Sequence, residues 1–307
     1  MKLGEISERK AIQIALSIIE EVNRAFVPAG EDDCAVIELG DELIVLTTDM
    51  VMKSTDFPEG STFFQMGWKS VAVNLSDIAS TGATPICFLA SVGLPPDLSI
   101  EDFREFFRGM KECCRKYRTS FIGGDMNEAD EPIVSGFALG ISKKEKILLR
   151  KGAKPGELLC VTGKLGKGVA SLILRELETL NIVHPRVFEG MKIAESRYAG
   201  AMTDISDSLA ISIHEICEMS GVGARVYAER IPIHELAMRF ENPLELALFG
   251  GDEYELVFTI REEGIEKLRD VDFTVIGEIT AERGVELVRE GRVEKLEKRG
   301  YEHFTRP

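Results

Sequence analysis

Along its 307 residues, strand-like apolar runs alternate with helical stripes, and a charged, Gly/Pro-rich stretch interrupts the alternation near the middle. Such alternation restricts the chain to the α/β or α+β class. In the first half, Ser7 opens a helix that sets Ile12, Ala15, Leu16 and Ile19 on one face. Runs at 34–39 and 43–48, joined around Gly40 and Asp41, read as a hairpin that leaves Thr47, Thr48 and Asp49 at a strand end. The pattern then predicts a long helix over 62–80 closed by Gly82, and a strand over 86–92. After the Pro95-Pro96 break, Ser99 and Asp102 open a helix striped by Phe103, Phe106, Phe107 and Met110. Strands around Phe121 and over 133–141 complete this half. The segments SKKEK (142–146) and GAKPGE (152–157) form the connector, which predicts two domains, 1–145 and 146–307. Beyond it come a strand at 158–161, a glycine-interrupted helix start at 163–168, a helix over 208–219 ending at Gly221, and a strand at 223–227.

Charge narrows the function. Acidic residues outnumber basic ones by 52 to 37, a net charge of −15, which repels a nucleic-acid backbone over most of the surface. No apolar run reaches the roughly 20 residues that span a bilayer, and the first ten residues are too charged for a signal peptide, so a cytoplasmic protein is expected. The six cysteines show no CxxC spacing and read as small core residues. An acidic protein that binds a polyanion such as ATP must supply positive charge locally, and bound metal is the favoured route here.

Five polar clusters place oxygen ligands beside strand ends, helix starts or glycines: Asp32-Asp33, Thr47-Thr48-Asp49, Asn74 with Asp77, Gly123-Gly124-Asp125, and Asp204-Ile205-Ser206-Asp207. Magnesium takes hard oxygen ligands, commonly one or two carboxylates completed by water and phosphate oxygens, so dispersed aspartates suit it. Taken singly, each cluster has an ordinary use as a turn, a strand exit or a helix cap. Asn74 and Asp77 are the more telling pair, because they share a face of the apolar run VAVNLSDIA, where an unpartnered carboxylate is costly. GKLGKG (163–168) lacks the spacing of a P-loop, yet it can present amides to a phosphate at a helix start. The four histidines lack metal-ligand spacing.

In order, the clusters resemble the thiamine-monophosphate kinase family, in the superfamily of aminoimidazole ribonucleotide synthetase, selenophosphate synthetase and a hydrogenase maturation factor. DDCAV (32–36), TTDM (47–50), KSVAVNLSDIASTGATP (69–85), GGD (123–125), RKGAKPGE (150–157), VTGKLG (161–166), DISDSL (204–209) and SGVGA (220–224) carry the likeness. FGGDEYELVFT (249–259) and GYEHF (300–304) point to the kinase branch.

The resemblance implies transfer of a phosphoryl group from ATP to thiamine monophosphate with several Mg²⁺ ions. It also implies two α/β domains, a homodimer built by the N-terminal domains across a shared β-barrel, and ATP in the interdomain cleft. Asp33, Thr47, Thr48, Asp49, Asp77, Asp125, Asp204 and Asp207 match metal positions, and Gly124, Asp125, Arg150 and Ser206 match ATP contacts. Asp252 matches a substrate-contacting acid and Tyr301 an aromatic near the thiamine. Three departures stand out. KSTDF (53–57) puts Asp56 where the family has a substrate-contacting histidine. GGDEYEL reverses the usual acid order, leaving either Asp252 or Glu253 to face the substrate, and Ser208 and Glu31 replace glycines. The competing readings are a sister enzyme that phosphorylates a carbonyl, carboxylate or selenide, and a non-catalytic nucleotide-binding regulator.

Overall fold

The computed structural model describes residues 3–19 and 25–302. His303 and Phe304 of the GYEHF segment therefore lie outside the described residues. In chain order the first half contains α1 (Glu8–Ile19), β1 (Ala35–Leu39), β2 (Glu42–Met52), α2 (Lys53–Asp56), α3 (Phe63–Ser80), β3 (Thr84–Leu94), α4 (Ile100–Lys116), β4 (Ser120–Glu128) and β5 (Ile133–Ser142). The second half contains β6 (Leu158–Thr162), α5 (Lys167–Leu174), α6 (Leu177–Asn181), α7 (Val187–Ser196), β7 (Ala199–Asp204) and α8 (Leu209–Ser220). It continues with β8 (Gly223–Tyr227), α9 (Pro243–Phe249), β9 (Leu256–Ile260), β10 (Phe273–Thr280), β11 (Gly284–Arg289) and β12 (Arg292–Lys295).

Each half builds one mixed sheet. The first is ordered β1-β2-β5-β3-β4, antiparallel except for the β3/β4 pair. The second is ordered β12-β11-β8-β10-β6-β9-β7, with β8/β11 its parallel pair. One expectation changes here. Thr47, Thr48 and Asp49 lie inside β2, paired with Ala138, Phe137 and Gly136 of β5, rather than at a strand end. The Gly123-Gly124-Asp125 cluster, placed by the sequence only beside a strand end, a helix start or a glycine, lies inside β4.

The long helix α3 is held between the two sheets. Thr62 caps it in a full capping box with Gln65, and Gly82, at φ +67°, follows its end. Nearly all its residues are buried, and its core continues into Met202 and Phe258 of the second sheet. A helix buried on all sides must be apolar all round, which is why its few polar residues carry information. Its crossing with α4 is set by glycine. A Cβ on Gly67 would lie 1.9 Å from the Phe106 carbonyl oxygen, and one on Gly109 would lie 2.0 Å from that of Phe64. Five of the six cysteines are buried and Cys87 is partly exposed, all of them free thiols. By contrast, α1 buries none of its residues.

Candidate active site

A cavity of about 690 Å³ opens where β2, α3, the start of α5 and the loops after β7 and α9 meet. Asp49, Asp77, Asp204 and Asp207 line it, together with Asp56 and Asp252. Ser206 and Tyr301 line it as well. With Glu8 that makes seven carboxylates, and among the described residues no lysine or arginine lines the cavity.

Local structure explains the convergence. In a strand successive side chains alternate, so Thr47 and Asp49 face α3 while Thr48 points the other way. Thr47 Oγ1 donates to Asp77 Oδ2 at 2.5 Å. The Asp49 amide donates to Asn74 Oδ1 at 3.1 Å, and Ser76 Oγ donates to Asp204 Oδ2 at 2.5 Å. Thus α3 contacts both carboxylate-bearing strands directly. Thr48 Oγ1 instead donates to the Gly136 carbonyl at 2.7 Å.

Asp33 joins from behind the cavity. It accepts from Thr203 Oγ1 at 2.7 Å and is ion-paired with Arg150, whose guanidinium also meets Glu215 at 3.3 Å. Asp32 accepts the Arg150 amide at 2.7 Å. Gly124 and Asp125 stand apart: Asp125 pairs with Ser91, which is level with Ser135 of β5 and Met50 of β2. Three strand spacings, roughly 14 Å, separate β4 from β2.

Crowded carboxylates in a poorly solvated site resist ionisation. Burial, then the charges of Asp33 and Asp56, pushes Asp49 up to about 6. Burial, then Asp49, Asp204 and Asp33, holds Asp77 well above the carboxylate range, and burial with Asp33 does the same to Asp204. A bound cation would relieve this repulsion. No three His, Cys, Asp or Glu side chains form a closed cation cage among the described residues. Dispersed hard oxygens that leave coordination positions to phosphate and water fit Mg²⁺.

The reversed acids take separate roles. Asp252 faces the cavity, its Oδ1 accepting from the Tyr254 hydroxyl at 2.9 Å. Glu253 is 1 % exposed and accepts the amides of Gly166, Lys167 and Gly168 at 2.9, 3.3 and 3.1 Å. The helix start that could have cradled a phosphate is therefore filled by a carboxylate of the chain itself. Asp252 and Tyr254 hold φ of +62° and +51°, left-handed conformations that cost about 1–2 kcal/mol each in a non-glycine residue. Sequence reasoning missed Ser76, Thr203 and Glu215, whose partners are distant in the chain, and the apolar wall of Phe57, Val73, Leu172 and Leu180.

Residues 31–142 match the family described as AIR synthase related protein, N-terminal domain, and residues 154–290 match its C-terminal domain. The two-domain α/β fold is accordingly that of the AIR synthase relatives. The thiamine-monophosphate kinase of Pyrococcus abyssi is 39% identical over 89% of this chain and 90% of its own length. That of Archaeoglobus fulgidus is 37% identical over 94% and 97%. The solved complex of AaThiL with AMPPCP and TMP superposes with a TM-score of 0.88, at 29% identity and 99% coverage of both chains. On this similarity across nearly its full length, the chain belongs to the thiamine-monophosphate kinase family.

Proposed function

We propose that this protein transfers the γ-phosphoryl group of ATP directly to thiamine monophosphate, giving thiamine diphosphate and ADP. One observation carries the reading: seven carboxylates and an apolar wall share a cavity that no lysine or arginine lines among the described residues. Such a site suits a phosphate ester brought in with metal and bearing a cationic heteroaromatic body, as thiamine does. The relatives support the same substrate, and no feature of the cavity favours a carbonyl, carboxylate or selenide acceptor.

Two unit charges 4 Å apart repel by roughly 4 kcal/mol at an effective dielectric of 20, and here two phosphate groups must meet. Magnesium ions, when bound, would offset that repulsion and align the phosphates. Asp49, Asp77, Asp204 and Asp207 would hold them from the cavity wall, with Asp33 and Thr47 behind and Thr48 nearby. Arg150 and Ser206 would bind ATP. Arg150 must then share its guanidinium between phosphate and the carboxylates that now hold it. Asp252, Asp56 and Tyr301 would orient the thiamine body, and the apolar wall would exclude water from the reacting phosphates. The test is ADP release that depends on thiamine monophosphate, with the product identified by mass. ADP formed equally well without the acceptor would overturn the reading.

We assign residues 1–145 to metal, ATP and dimer contacts and residues 146–307 to the second α/β domain, in a cytoplasmic enzyme. No described helix is long and apolar enough to cross a membrane. Support for a homodimer is exposed apolar surface on the first sheet, where Leu39 of β1, Met50 of β2 and Ile122 of the edge strand β4 are each more than half exposed. Apolar surface next to an unpaired edge calls for a partner, and a second copy closing a shared barrel would cover both. Gly124 and Asp125 ride on that strand, so the ATP and metal roles assigned to them belong to the paired state. Light scattering at micromolar concentration should give about twice the 34.0 kDa chain mass; a monomer would remove the dimer and those two roles with it.

A further inference from the structure

Lys69 is among the largest fully buried side chains of the molecule, 2 % exposed on a helix most of whose residues are buried. A lysine is seldom buried to this degree without a dedicated partner. Its Nζ donates to Asp252 Oδ2 at 3.1 Å and lies 5.8 Å from the centroid of the Phe57 ring. Both neighbours belong to the cavity wall. The contact also spans the molecule, since α3 belongs to the first half and Asp252 to the second.

Asp252 sits in a segment fixed at every residue. Its amide donates to the Ser206 carbonyl at 2.7 Å, and the Tyr254 amide donates to that of Ile205 at 2.9 Å. Glu253 is bound by the first amides of α5, and Glu255 by Lys167, Arg186 and Thr162. These bonds set the backbone. The direction of the Asp252 carboxylate is set by two side chains, Tyr254 on one oxygen and Lys69 on the other.

We infer that Lys69 is a positioning residue for the acceptor substrate, holding the Asp252 carboxylate and the Phe57 ring at the cavity wall where the cationic body of that substrate docks. This inference rests on the function proposed above. Lys69 itself does not line the cavity and touches no reacting group, so it acts through Asp252. Its removal need not unfold the protein. The Asp252 side chain is 40% exposed, so it stays hydrated once the lysine is gone, and methionine fills the lysine stem's volume. Asn tolerates the left-handed backbone at 252, so Asp252→Asn tests the charge without disturbing the turn.

The experiment measures steady-state kinetics for both substrates, with calorimetric binding of thiamine monophosphate, for Lys69→Met, Asp252→Asn and the double variant. Lys69→Met should raise KM and Kd for thiamine monophosphate at least tenfold, with KM for ATP within twofold of the unsubstituted enzyme. In the Asp252→Asn background, adding Lys69→Met should change them less than twofold further, because Lys69 acts only through the Asp252 carboxylate. The inference is overturned by an unchanged acceptor KM, by equal rises in both KM values, or by effects that multiply. If the unsubstituted protein neither binds nor phosphorylates thiamine monophosphate, the proposed function fails in its own right and this inference with it.

Discussion

Asp77→Asn is expected to lower kcat about a thousandfold, ~4 kcal/mol of transition-state stabilisation, while the protein stays folded. The substitution keeps the volume of the side chain and an oxygen able to accept from Thr47, and removes only the charge. Asp77 lies within Coulombic reach of Asp49, Asp204 and Asp33, so its ionised form is expensive until a cation compensates it. That expense fixes the sign of a second readout. A carboxyl whose folded-state pKa is raised stabilises fully below the unfolded value near 4 and loses that contribution as pH rises through the folded value. At neutral pH without metal the ionised form therefore opposes folding, and Asp77→Asn should melt higher than the unsubstituted protein. Magnesium should stabilise the unsubstituted protein more than the variant. A folded variant with more than about a tenth of the original activity would remove Asp77 from the metal-holding set.

Free thiamine is expected to turn over at less than about a hundredth of the rate of thiamine monophosphate. An alcohol must lose a proton as it attacks, whereas a phosphate monoester, with a second pKa of about 6, is already ionised at neutral pH. Four of the cavity's carboxylates, Asp49, Asp77, Asp204 and Asp207, would be taken up by metal. No histidine lines the cavity among the described residues, and Asp252 is engaged by Lys69 and Tyr254. One oxygen of Asp56 accepts from the Met52 amide and the Thr55 hydroxyl at 2.8 and 2.6 Å. The rate with thiamine monophosphate should accordingly be flat from about pH 7 to 9, falling on the acid side as the acceptor phosphate and the metal-holding carboxylates protonate. Comparable rates with the unphosphorylated alcohol, or a strong fall in rate above pH 7, would mean that a base exists in the site.

Local chemistry made much of this legible in advance. The Ser99 cap of α4, the glycine that ends α8 and the hairpin at Gly40 are decided within a few residues, and the structure has them where the sequence puts them. Asn74 and Asp77 could be singled out because a polar pair on an apolar helix face needs partners. The partners themselves were hidden. Lys69 and Asp252 are 183 residues apart, and Glu253 reaches α5 across 85 to 87. No window of sequence contains such a pair, and a lone lysine in a helix reads as solvated until the second sheet covers it. The different directions of Thr47 and Thr48 follow from the period of two in a strand. What concealed them was the extent of β2, since the strand continues through a polar triplet that looks like an exit.

The burial of α3 between two sheets bears on how this architecture can change over time. A helix that faces both halves must satisfy both at once, so an altered side chain on one of its faces is screened by the packing of the other. Gly67 and Gly109 sharpen the constraint, because α3 and α4 touch through backbone atoms with no side chain to trim in compensation. Neither half can be exchanged for a foreign one without redesigning the surface of α3, and a gene fragment ending at the connector would encode a helix with one face uncovered. Recombination should therefore tend to transmit the two halves as a pair. Innovation should enter instead at positions such as Asp56 and Tyr301, which border the cavity away from α3.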